Sequence, residues 1–290
     1  MPKMKKRIKK NVKTKRNVKR KRILKLISII ILCFINTYFP IKKYLSKLFK
    51  QRQQANKLRK KIEHFTSYSE YYEDLILNII LSDIENGFYI DVGAYDPIKV
   101  SVTKAFYLKG WTGINIEPQP GKKELFDKDR LKDINLQLAV GEKNGTIKFY
   151  INDQCSTYVE QYSKKATKII NITMDTMSNI CRKYVPQGRA VDFCKIDVEG
   201  GERNVLLGYD FTNYRPKVFC IESTIPLSSI PNHELWENIL IQNNYTYVYK
   251  RGVNRFYVDN NFPELLERSK HITEYIPKIR KYRIHSFRKL

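Results

Sequence analysis

Six acidic residues stand at the ends of apolar runs or in the turn that follows one. Asp91 closes Phe88-Tyr89-Ile90, Glu117 closes Trp111–Ile116, Asp197 closes Val191–Ile196 and Glu222 closes Lys217–Ile221. Glu199 and Glu202 follow Asp197 in the run Asp197-Val198-Glu199-Gly200-Gly201-Glu202. Carboxylates at such positions accept hydrogen bonds from amines and hydroxyls. Crowded together they raise one another's pKa, which suits one of them to act as a general base, and the same group could hold Mg²⁺ or another hard cation. Any one of these acids, taken singly, reads as an ordinary solvated group at a strand end. Four runs that end the same way point to a shared rim. Lys195, just inside the fourth run, can pair with one of them.

Gly93 follows Asp91 by two residues, and a residue without a side chain there lets the backbone approach a bulky ligand. The three-glycine fingerprint of dinucleotide sites is absent, and Asp96-Pro97 stands where more glycine would be needed. The expected ligand is a nucleoside-like cofactor without a pyrophosphate. Glu117 lies 26 residues after Asp91, near the spacing at which an α/β nucleotide site presents a carboxylate to the ribose hydroxyls.

These residues need buried strands to deliver them to the carboxyl edge of a sheet, and the pattern supplies strands alternating with helices. Tyr72, Leu75, Ile76, Ile79 and Ile80 repeat at helical spacing over 71–81, with Asn86-Gly87 read as the closing turn. Further helices are expected over 101–108, 119–130 and 174–184. Strands are expected at 88–91, 111–117, 134–141, 191–197 and 217–222. Asn144-Gly145 reads as a hairpin turn with 146–150 as its return strand, 152–170 as a loop or lid, and 245–249 with 255–258 as an antiparallel edge hairpin. The fold class expected is α/β, a doubly wound, Rossmann-like and mostly parallel sheet with that hairpin at its C-terminal edge.

Charge is unevenly spread along the 290 residues. Positions 1–61 carry 23 Lys and Arg with no acid, whereas the remaining 31 basic groups face 29 acids. The body is therefore near neutral, which argues against a nucleic-acid-binding catalytic surface. The chain divides into a basic arm (1–22), an apolar segment (23–41), a basic connector (42–69), the main domain (70–262) and a basic tail (263–290). The uncharged part of the apolar segment is about 16 residues against the roughly 20 that a spanning helix needs. Attachment to a membrane through 23–41 and its basic flanks is expected, with the topology open. The five cysteines form no Cys-x-x-Cys pair, and Cys194 and Cys220 read as buried core residues.

Phe88–Pro97, Gly110-Trp111 through Glu117-Pro118, Ala139-Val140-Gly141, Lys195–Glu202, Arg215-Pro216 and Ile221-Glu222 together resemble the FkbM family of S-adenosylmethionine-dependent methyltransferases. The similarity covers roughly residues 70–258, and Asp197-Val198-Glu199-Gly200 followed by Glu202 is its most specific part. Gly201 stands where relatives often carry a larger residue, and Tyr95-Asp96-Pro97 replaces a more usual Asn-Asp-Gly type of ending. The resemblance implies that Asp91, Gly93 and Ala94 cradle the methionine part of S-adenosylmethionine and that Glu117 holds the ribose. It also implies that Ala139 lines the cofactor site and that Asp197 borders the methyl-transfer position. Glu199, Glu202 and Glu222 are the candidates for the base. The acceptor it implies is a hydroxyl of a sugar or glycan. Competing readings are a dinucleotide dehydrogenase or epimerase, an inactive methyltransferase-like binding module tethered to a membrane, and a nucleic-acid methyltransferase guided by the basic arm.

Overall fold

The run Phe88–Val92 forms β1, the strand on which the sheet is centred, and all five of its residues are buried. The computed structural model describes residues 65–275, together with Lys25, residues 43–46, Phe49 and Gln53. The chain separates into two units, 1–59 and 60–290. In the first, the described positions are helical, and the Ser46 hydroxyl donates to the Lys43 carbonyl oxygen at 2.8 Å. The apolar segment expected at 23–41 lies, apart from Lys25, outside the described residues. Among the described residues no helix is long and apolar enough to cross a membrane.

In the second unit, α1 (Glu73–Ile80) precedes β1 and is buried along its whole length. Its two leading acids are satisfied internally. Asp74 accepts from the Ser67 and Ser69 hydroxyls at 2.6 and 2.8 Å, and Glu73 accepts from the Tyr71 N–H and from Asn254 Nδ2. The helix stops at Ile80, short of Asn86-Gly87. Gly87 serves packing instead, because the Trp111 ring occupies the space a Cβ would take.

After β1 come α2 (Lys104–Leu108), β2 (Thr112–Ile116), α3 (Lys122–Asp129), β3 (Ile134–Leu136), β4 (Ala139–Val140), β5 (Gly145–Ile151) and β6 (Lys168–Asp175). They are followed by α4 (Met177–Tyr184), β7 (Phe193–Ile196), α5 (Glu202–Leu207), β8 (Val218–Glu222), α6 (Glu237–Gln242), β9 (Tyr245–Arg251) and β10 (Asn254–Asp259), then α7 (Pro263–Ser269) and α8 (Ile272–Tyr275).

Seven strands form one sheet in the order β3-β2-β1-β7-β8-β10-β9. Its first five are parallel, and β10 runs antiparallel to both β8 and β9. A mostly parallel sheet must be covered on both faces, and this one is. On one face Ile90, Val92, Cys194, Ile196 and Phe219 pack with Met177 and Ile180 of α4 and Val205 and Leu206 of α5. On the other, Tyr89 and Phe193 meet Phe106 of α2 and Trp111, with ring centroids 4.8 Å apart for Phe106–Phe193. The doubly wound α/β class and the antiparallel edge hairpin therefore stand.

The expectation for 134–151 needs correction. The run 134–141 is not one strand: β3 belongs to the main sheet, while β4 belongs to a second sheet of order β4-β6-β5. Asn144-Gly145 does not fold β5 back on β4. Instead β6 lies between them, parallel to β4 and antiparallel to β5 from Gly145↔Met174 to Ile151↔Lys168. β6 is hard to see in the sequence because most of its side chains, Ile169 among them, remain outside the core. The expected loop is real over the shorter stretch 152–167, which carries two 3₁₀ turns.

The chain leaves β1 toward β2 and β3 on one side, and later continues from β7 to β8 on the other. The strand order thus reverses between β1 and β7, and ligands of open α/β sheets bind outside the carboxyl ends of strands at that point.

Candidate active site

At the carboxyl ends of β1, β2, β7 and β8 lies a cavity of about 610 Å³, within the usual span for small-ligand sites. Gly93 and Ala94 form one wall, their N–H groups donating to the Ile116 carbonyl oxygen at 2.9 and 3.1 Å. Gly93 has φ +76°, and a Cβ there would fall 1.7 Å from the Asp197 carbonyl oxygen. No other residue type fits between these two strand ends.

Glu117 faces the cavity from the end of β2 and is buried. Its Oε2 accepts from the Tyr95 N–H at 2.9 Å and its Oε1 from the Gln119 N–H at 2.8 Å. Burial raises its pKa, and these two backbone donors oppose the rise. Each carboxylate oxygen retains a lone pair, so the group can also receive two hydroxyls. Ile116, Leu138, Ala139, Val140 and Phe149 supply apolar wall beside it.

Asp197, Glu199 and Glu222 line the opposite side, each offering an oxygen within 4.8 Å of the others. At that separation two unit charges repel by about 3–4 kcal/mol at an effective dielectric of about 20. Burial, then the charges of Asp197 and Glu202, pushes the Glu199 carboxyl up to about 8. Burial, then Asp197, Glu199 and Glu202, holds Glu222 well above the ordinary carboxylate range. Lys195 compensates from one side. Its Nζ donates to the Gly93 carbonyl oxygen at 2.5 Å and stands 3.5 Å from both Asp91 Oδ1 and Asp197 Oδ2. Burial opposes its charge, but Asp197 and Asp91 hold the ammonium above its ordinary pKa.

Two candidates lie elsewhere. Asp91 does not line the cavity. In register with Asn115 and Lys195, it points to the α2 face of the sheet, where Thr103 Oγ1 donates to its Oδ2 at 3.1 Å. Side chains alternate along a strand, so an acid within β1 sits behind the wall while the loop after the strand forms it. Glu202 is also withdrawn from the cavity. Its Oε1 accepts from the Val198 and Gly200 N–H groups, each at 3.1 Å, which fixes the turn ahead of α5. Gly93, Ala94, Glu117, Ala139, Asp197, Glu199 and Glu222 all line the cavity as expected.

Several lining residues carry no local signal in the sequence. Glu70 and Tyr71 come from the segment before α1, Thr224 and Leu227 from the loop beyond β8, and Asp153, Cys155, Ser156 and Tyr158 from the 152–167 loop. Burial, then the Glu199 charge, pushes the Cys155 thiol up to about 12, which disfavours the thiolate. The loop seats on the glycine pair: Tyr158 Oη donates to the Gly201 carbonyl oxygen at 3.1 Å and occupies the space of a Gly201 side chain. The missing bulk at position 201 is therefore where the loop docks. Among the described residues seven non-glycines have positive φ, and five of them, Tyr95, Val100, Asp153, Glu199 and Leu227, line the cavity. Backbone strain of this kind persists where surrounding structure enforces it, and it gathers at functional sites.

The family model described as the methyltransferase FkbM domain matches residues 91–249, over half of the chain. No curated protein matches. Among solved structures, PH1948 of Pyrococcus horikoshii, provisionally described as an RNA methyltransferase, is 12% identical over 70% of this chain and 98% of its own, with a TM-score of 0.35. That likeness is too loose to carry an argument. The family match takes in the ends of β1, β2, β7 and β8 that form the cavity, and the chain belongs to the FkbM methyltransferase family.

Proposed function

We propose that this methyltransferase uses S-adenosylmethionine and methylates a hydroxyl of a sugar or glycan. The observation that carries the reading is the division of the cavity: Glu117 and an apolar wall on one side, three crowded carboxylates on the other. The residues fit the cofactor. The Gly93-Ala94 turn leaves room for a ligand to approach the backbone, Glu117 would hold the ribose hydroxyls, and Leu138, Ala139 and Val140 would border the nucleoside. When bound, S-adenosylmethionine supplies a sulfonium methyl. Its transfer forms the O–CH₃ bond, breaks the S–CH₃ bond to leave a neutral thioether, and releases the hydroxyl proton. The chain's part is to align the acceptor and to take that proton at a carboxylate of Glu199 or Glu222; Glu199, pushed up to about 8, suits proton exchange near neutral pH. Tyr158 and the 152–167 loop cover the acceptor side and limit water.

The choice of a glycan hydroxyl rests on the family resemblance, and screening glycan acceptors for methyl incorporation from labelled S-adenosylmethionine tests it. Transfer to RNA but not to glycans would overturn it. We further propose that residues 23–41 with their basic flanks attach the enzyme to a membrane, a reading supported by the sequence alone.

A further inference from the structure

Glu222 is 7% exposed, and its Oε2 has no hydrogen-bond partner among the described residues. Thr224, 2% exposed and in the wall of the same cavity, likewise has an unpartnered hydroxyl. Buried polar atoms are normally satisfied, so two orphans in one cavity wall call for a ligand. Glu222, whose carboxyl is hydrogen-bonded to Asp197, stands with Asp197 and Glu199, which brings three carboxylate oxygens within 4.8 Å of one another. Among the described residues the one basic side chain lining the cavity, Lys195, approaches Asp197 and is already bonded to Gly93.

We propose that Asp197, Glu199 and Glu222 hold a hard divalent cation on the acceptor side of the cavity. The oxygen set is chemically suited to Mg²⁺, Ca²⁺ or Mn²⁺ and lacks the nitrogen and sulfur ligands that favour zinc. Size narrows the choice. Three oxygens mutually within 4.8 Å leave a point no more than about 2.8 Å from each. Ca²⁺ takes oxygens at about 2.3–2.6 Å and Mg²⁺ at about 2.0–2.1 Å, so the cluster must contract less to hold Ca²⁺. Three protein ligands leave positions open, and two adjacent hydroxyls of a sugar ring are oxygen donors of the right kind to fill them. A cation there would align the acceptor and ease loss of its proton to an uncoordinated oxygen of Glu199 or Glu222. This role depends on the methyltransferase reading; the binding of the ion does not.

The test titrates Mn²⁺ into metal-stripped full-length chain, following the free-ion electron paramagnetic resonance signal, with S-adenosylhomocysteine titrated calorimetrically in parallel. The expected result is one Mn²⁺ per chain, displaced by Ca²⁺ or Mg²⁺. Affinity should fall at least tenfold in Glu222→Gln and in Glu199→Gln, and stay within twofold in Glu124→Gln on the surface of α3. If Glu222→Gln fails to fold, the Glu199→Gln comparison decides. No saturable uptake by the unaltered chain, or uptake that neither variant weakens, would overturn the cation site. Loss of Mn²⁺ uptake with S-adenosylhomocysteine still bound removes the cation and leaves the methyltransferase reading. Mn²⁺ uptake without S-adenosylhomocysteine binding does the reverse.

Discussion

The backbone of Gly93 runs so close to Asp197 that a Cβ on the first would sit 1.7 Å from the carbonyl oxygen of the second. This contact joins the ends of β1 and β7 at the reversal in strand order and sets the width of the cavity floor. Gly93→Ala combines that overlap with φ +76°, so it is expected to cost at least about 2 kcal/mol. Urea unfolding of the full chain measures the loss. A stability within 0.5 kcal/mol of the parent, an order-of-magnitude threshold, would mean the two strand ends are not held in contact.

Gly201→Ala has a different outcome. Gly201 has φ −96°, which any residue adopts, and the three atoms nearest the added Cβ all belong to the Tyr158 side chain. The cost is expected to be under about 1 kcal/mol, about that of one hydrogen bond. The 152–167 loop, however, loses its seat. Limited proteolysis should cut within that loop several times faster than in the parent, with Tyr158→Phe intermediate. Equal cutting rates in all three proteins would show that the loop is held elsewhere.

Glu199 titrates higher in the folded chain, at about 8 against an ordinary 4.5. Between these values the native state binds more protons than the unfolded state, so stability of the cation-free protein falls as pH rises through that window. The expected loss from pH 5 to 8 is on the order of 1–3 kcal/mol, after allowing for relaxation around a half-buried group. Glu199→Gln should flatten the curve. Urea midpoints in a chelating buffer at pH 5, 6, 7 and 8 follow it, and a curve rising toward pH 8 would contradict the crowding of these acids.

The basic arm should act on membranes rather than on catalysis. Full-length protein is expected to cosediment with vesicles rich in phosphatidylserine, more weakly as salt rises, and removal of residues 1–61 should abolish this. Retention of binding without those residues would assign it to the folded body.

Much of this architecture is legible in the sequence because four buried runs end in an acid, and a strand buried on both faces reads as a continuous apolar stretch. Asp91 shows the limit of that reading. Its place at a strand end is correct, yet period-two alternation turns it toward Thr103 and Lys195, behind the cavity. Glu202 shows another: a short-range bond to the Val198 and Gly200 amides withdraws it from the cluster. The lining residues Tyr71, Tyr158 and Thr224 were hidden because loops reach the cavity through tertiary packing, which no local pattern encodes. β6 escaped notice because it packs a small sheet with most of its side chains outside the core.

Glu117 decides the central claim. Calorimetric titration of S-adenosylmethionine and S-adenosylhomocysteine into the full chain should show micromolar binding at one site. Loss of a bidentate, charge-assisted contact in Glu117→Gln is expected to weaken it about 10- to 100-fold. Thermal unfolding would show the variant folded, because the Gln carbonyl oxygen can still accept from one of the two amides. A folded parent chain that binds neither compound, or a Glu117→Gln variant that binds both as tightly as the parent, would contradict this account of the cavity.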